Sequence, residues 1–255
     1  MAALETRRRD LLFVAGGLGA ISLSAWAYQF WMAQAMTMAA GPSWQWTPGA
    51  VFMTFLMWAV MMLAMMLPTA LPFVAAYSTL SRARAPTMSP SGGTVAFVGG
   101  YVLAWSMFSI GATMLQVLLD QSGMLSPSMG IASTWLGGAV LLLAGIYQFT
   151  PMKAACARHC RTPIGFFMAR WRDGPLGALS MGARHGAYCV GCCWLLMVTM
   201  FVVGVMSLAW MLILTAVMLT EKLPAIGERV GRVAGWALLT AGGYFLVVTY
   251  LPHIG

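Results

Sequence analysis

The feature that most constrains this chain is a succession of apolar runs of membrane-crossing length, with the basic residues gathered before the first run and in alternate gaps, except Arg184 in the first turns of the fifth span. The runs cover 11–34, 50–77, 94–119 and 131–150, then a long region from 176 to 220, and finally 233–251. About 20 residues of helix cross the hydrocarbon core. The region 176–220 is therefore too long for one crossing, and it divides near Gly204 into 177–203 and 205–221. Composition agrees: 60% of the 255 residues are apolar and only 8% charged, where a water-soluble domain carries about 25% charge. The expected fold is all-α, a polytopic transmembrane bundle of about seven spans forming a single integral membrane domain over 1–255. Residues 151–175 are expected as a basic cytoplasmic loop.

Orientation follows from lysine and arginine. They lie at 7, 8 and 9, at 82 and 84, at 153, 158, 161, 170 and 172, at 184, and at 222, 229 and 232. With seven spans, all fall on the side of the amino terminus. Positive residues mark the cytoplasmic side, so the N-terminus is expected inside and the C-terminus outside. A six-span count, with 176–220 as one tilted helix, would place Arg229 and Arg232 outside. The net charge of +8 thus points to a lipid surface and not to nucleic acid. Arg7 to Arg9 followed by an apolar core and Ala25-Trp26-Ala27 also fit a cleaved signal peptide. An uncleaved first span is preferred because the apolar run continues beyond that point. Trp31, Trp44, Trp46 and Trp135 suit an interfacial aromatic belt. Asp120, the only acid expected outside, could attract a cation or mark the interface.

Chemistry concentrates in His185 to Trp194. On a helix, Cys189, Cys192 and Cys193 are spaced i, i+3, i+4 and share a face, with His185 one turn earlier. A single buried cysteine is ordinary small-residue packing, but three thiols and an imidazole together suit Cu(I) or, less well, Zn(II). One helix face cannot supply a full ligand set, so a partner helix is needed. The 50–77 run offers Met61, Met62, Met65 and Met66, two stacked thioether pairs that suit Cu(I) and not Zn(II). Counted from the outer ends of their helices, Met62 and Cys192 both lie ~18 Å deep, so the two groups are expected to meet near the midplane. With 23 methionines in the chain, a plain packing stripe is the competing explanation. Pro68 and Pro72 leave carbonyls below this cluster that need other partners.

Cys156, His159 and Cys160 form a second group on the cytoplasmic side, either a metal relay or free thiols in a basic interfacial segment. It matches neither a haem-attachment nor a zinc-finger pattern. Glu221 and Lys222 end the sixth span. They are either functional or helix-end residues reaching for the interface.

Four patterns occur in order: Met-Met-x-Ala-Met-Met-x-Pro at 61–68, Tyr-Gln-x-Thr-Pro-x-Lys-x-x-Cys-x-x-x-Cys-Arg-x-Pro at 147–163, Cys-x-Gly-Cys-Cys-Trp at 189–194, and Glu-Lys at 221–222. Together they resemble the DUF2182 family, described as predicted metal-binding integral membrane proteins and sometimes labelled copper chaperones. The resemblance implies a metal and strengthens the copper reading. The expected function is therefore Cu(I) binding for delivery or homeostasis in a bacterial inner membrane, without catalysis. Its partners would be the lipid bilayer and a copper-receiving membrane or periplasmic protein. The alternatives are a membrane thiol redox protein using Cys189, Cys192 and Cys193, and a metal-free scaffold or assembly subunit.

Overall fold

A computed structural model describes residues 2–38, 45–84, 90–126 and 129–250. Trp44 and the end of the last apolar run at Leu251 lie outside them. The described residues form ten helices and no strand: α1 (Ala2–Met38), α2 (Pro48–Arg84), α3 (Pro90–Gln121), α4 (Thr134–Gln148), α5 (Pro151–Arg161), α6 (Pro163–Arg170), α7 (Gly174–Val198), α8 (Met200–Val203), α9 (Leu208–Glu221) and α10 (Gly227–Tyr250).

Four segments are long and apolar enough to cross a membrane: Pro48–Arg82, Gly92–Gln121, Gly174–Val203 and Gly227–Thr249. A fifth results if α4 and α5, which meet at a bend of 63°, count as one broken span. The run 11–34 lies within α1. The apolar stretch 176–220 breaks at Gly204, whose φ of +109° is a backbone state that side-chain-bearing residues avoid. Beyond the break, α9 has only 14 residues.

Residues 151–175 are not the expected loop but contain two helices, α5 and α6. Each opens with Thr-Pro, at 150–151 and 162–163, which places proline at the first helical position, where its missing N–H costs nothing. Thr150 Oγ1 also accepts from the Lys153 amide at 3.3 Å, capping α5. Phe166 and Phe167 then bury themselves against Phe73 of α2, so α6 is held by burial as well as by its start signal.

The bundle is organised on α3 and α7, which pack along each other closely enough to bring backbone against backbone. A side chain at Gly182 would strike the Phe97 carbonyl, and one at Gly100 would strike Leu179 and Ala183. In membrane helices such small-residue contacts replace the hydrophobic drive that lipid does not supply. α2 packs on α3, and α1 packs on α2. Pro68 cannot donate to the Ala64 carbonyl, and α1 supplies the substitutes: Ser22 Oγ at 3.0 Å and Trp26 Nε1 at 3.1 Å. Gln29 Nε2 adds a bond to the Met57 carbonyl at 3.1 Å. The proline that disrupts α2 is thus also the reason α1 has a polar docking point on it. Asp120 accepts from Trp46 Nε1 at 2.6 Å, which ties the end of α3 to the segment before α2.

Candidate functional site

Cys189, Cys192 and Cys193 are all buried on the inner face of α7. The thiols of Cys192 and Cys193 both turn back to the Cys189 carbonyl, at 3.1 and 2.8 Å. This saturates one carbonyl and gathers the sulfurs within a single turn. The Cys189 sulfur itself faces other helices. The Tyr101 hydroxyl of α3 lies 3.3 Å from it and also donates to the Met66 carbonyl of α2 at 3.0 Å. Lys222, just beyond α9, brings its ammonium to 2.9 Å from the same sulfur and 2.5 Å from Thr69 Oγ1 of α2.

The fourth buried thiol comes from α5. Cys160 is buried and lines one cavity with Cys192 and Cys193. The two cysteine groups read separately from the sequence are therefore one cluster. The reason is the course of α5, which folds back along α7. Cys156 is half-buried, and its sulfur lies 3.0 Å from where a side chain at Gly191 would begin, a close approach that glycine eases. His159 stacks on Tyr188 with ring centres 4.3 Å apart, and its Nδ1 pairs with the Ala155 carbonyl at 2.9 Å. With Nδ1 used in this way, Nε2 is the nitrogen left for a ligand.

Cys160, Cys192, Cys193, Met218, Glu221 and Lys222 line a small cavity, with about 10 Å³ available to the centre of a water-sized sphere. That is room for one ion or one water. Glu221 does not turn a free carboxylate into it. Lys153 Nζ reaches both Glu221 oxygens at 2.8 Å and also donates to Gln148 Oε1, and Arg161 Nε donates to the Glu221 carbonyl at 2.8 Å. Glu221 and Lys222 are adjacent in sequence but belong to opposite walls, one fastened to α5 and the other to α2 and α7.

His185 does not join the cavity. Its ring stacks on Phe73 at 3.7 Å and sits among Tyr101, Phe97 and the edge of Phe166, at 5.5, 6.2 and 6.0 Å. Neither ring nitrogen finds a hydrogen-bond partner among the described residues. Met61, Met62, Met65 and Met66 are fully buried in the same core as the thiols, but none of them lines the cavity. Tyr101, Thr69 and Lys222 link α2 to Cys189 through hydrogen bonds. The cavity's thioether is Met218 of α9. The sequence reading passed over Met218, Tyr101 and Thr69, and left Lys222 undecided. Met218 had one signal: it lies three residues before Glu221 and four before Lys222, on the same helical face.

The donor set suits a soft ion. Thiol and thioether sulfurs prefer Cu(I), and the surroundings supply almost no hard oxygen ligands. No group of three or more His, Cys, Asp or Glu side chains among the described residues is arranged to hold a metal outright. A d10 ion that accepts low coordination numbers makes the smallest demand on such a site.

Neither a curated protein nor a solved structure matches the chain. A family of copper chaperones, PpoB2, does match, over residues 55–245. This covers the thiol cluster, the α2 methionines and the Glu221-Lys222 pair, and by this match the chain belongs to the PpoB2 copper-chaperone family.

Proposed function

We propose that this protein is a membrane-embedded carrier of Cu(I), with copper as its cargo and the thiols of α5 and α7 as the holding site. Cys160, Cys189, Cys192 and Cys193 supply the candidate ligands, and Met218 lies beside them as a softer one. One observation carries this reading: sulfurs from two separate helices collect at one ion-sized cavity. Packing alone would need small side chains there but not thiols on both walls. The family's copper association points the same way.

Half-buried Cys156, one turn before Cys160, and His159, next to Cys160, lie where α5 meets α7 and are more exposed than Cys160. They are the first ligands that copper arriving from a donor would meet. Transfer inward is then ligand exchange between sulfurs at constant oxidation state. Each thiol that ligates loses its proton, and each that releases copper regains one. The tight α3–α7 core gives the site a rigid wall, so movement at α5 and α9 is the simplest way to open it.

In this reading the chain crosses a bacterial inner membrane seven times, with its N-terminus in the cytoplasm, and passes copper to a membrane or periplasmic acceptor. The placement of Lys and Arg on one side of the seven spans, with Arg184 in the first turns of the fifth, supports that topology. The DUF2182 resemblance and the copper-chaperone family are taken as one lineage.

The test is metal analysis of reduced, purified protein beside the C189S/C192S/C193S variant. About one Cu(I) per chain, absent from the variant, supports the proposal. Absence of metal with thiols that change state with redox poise would favour a redox protein instead. Thiols inert to both would favour a scaffold.

A further inference from the structure

Lys222 is an unusual neighbour for a metal-binding sulfur, because a metal cation and an ammonium repel each other. Its charge has no carboxylate partner among the described residues. Thr69 and Cys189 are its hydrogen-bond partners. Glu221, the nearest acid in sequence, is already engaged by Lys153 through both oxygens. The other acids whose side chains are described are engaged elsewhere: Asp120 pairs with Trp46, Asp173 with Trp171, and Glu228 with Arg161. A charge in a low-dielectric interior is costly unless it is balanced locally. Among the described side chains, the balance at Lys222 comes from the sulfur beside it.

From this we infer that Lys222 sets the charge of the cargo, making the thiol site selective for a monovalent over a divalent cation. The inference rests on the Cu(I) reading above and goes beyond it. A metal held by a pair of thiolates with Lys222 alongside is neutral in total when the metal carries one positive charge. With a divalent metal the same assembly carries a net positive charge that no acid offsets. Without the lysine the preference reverses, because a divalent ion on a pair of thiolates is then the neutral one. Softness of the ligands favours Cu(I) in both cases, and Lys222 adds a second, electrostatic selection against Zn(II). Thr69 holds the ammonium from α2, so it is a positioning residue for that selection.

The experiment measures Cu(I) and Zn(II) affinities separately, by competition with chromophoric chelators, on reduced full-length protein in detergent. The variants are K222M, K222Q and K222R. K222M is expected to lower the Cu(I) to Zn(II) affinity ratio by on the order of a hundredfold, with Zn(II) binding strengthened in absolute terms. K222R, which keeps the charge, is expected to retain most of the ratio. K222Q keeps a donor within reach of Thr69 and Cys189 without the charge, and it serves in place of K222M if that variant does not fold. An unchanged ratio in the uncharged variants, or an equal loss of both metals, overturns the inference and leaves the copper site standing. Wild-type protein that binds no Cu(I) overturns the copper reading itself.

Discussion

Two regions on one face of α7 have opposite surroundings. Cys189, Cys192 and Cys193 meet a fourth thiol, a thioether, a phenol and an ammonium from α5, α3 and α9 with its C-terminal end. His185, one turn earlier, meets aromatic rings, and neither of its nitrogens finds a hydrogen bond among the described residues. Helical spacing makes these residues equivalent, since i, i+4, i+7 and i+8 share a stripe. What separates them is the helix opposite. Toward the amino end of α7, Phe73, Phe97 and Phe166 close around the stripe. Farther along, α5 and the end of α9 close it with polar and sulfur groups. A shared face is thus a necessary condition for a shared site, but not a sufficient one.

The largest expected effect falls on the thiol side. The C189S/C192S/C193S variant should lose bound Cu(I) entirely while still eluting as a folded species in detergent. Retained copper would break the comparison at once.

The next effect concerns what holds the cavity closed. Lys153 and Glu221 form a buried pair across α5 and α9, with side-chain exposures of 6% and 7%. Removing one partner strands the other charge, so K153M should destabilise the protein by about 3–5 kcal/mol. Chemical or thermal unfolding in detergent measures this. A change below about 1 kcal/mol would mean the pair is wetter than its burial implies.

Third, M218L should weaken Cu(I) binding by about tenfold at most, whereas M62L/M65L should leave it unchanged. The reverse result would return the α2 methionines to the site.

The smallest effect is expected at His185. H185F keeps an aromatic ring among aromatic rings and removes nitrogens that lack partners. It should leave copper affinity unaltered and raise stability by about 1 kcal/mol.

The sequence carried the helical class in its apolar runs and the thiol group in its 189, 192, 193 spacing. Both are local signals, and local spacing is what a sequence displays. The Thr-Pro starts of α5 and α6 were equally local, yet the basic composition of 151–175 obscured them. Cys160, Met218, Tyr101 and Lys222 are different in kind. Each reaches the cluster only because a particular helix turns toward α7, and local spacing, which marked Cys160 and Lys222 as candidates, does not record that. The methionines at 61, 62, 65 and 66 are a strong local pattern whose burial in the same core as the thiols was legible from their spacing. The orphan carbonyl at Ala64 was foreseeable from Pro68, but its partners on α1, 42 and 38 residues away, were not.

The most direct test of the central claim is X-ray absorption at the copper edge on the reduced, Cu(I)-loaded protein and on its C160S and H185F variants. The account predicts a ligand shell of sulfur alone in the wild type, a diminished sulfur contribution in C160S, and an unchanged spectrum in H185F. An imidazole nitrogen in the wild-type shell that disappears in H185F would contradict it.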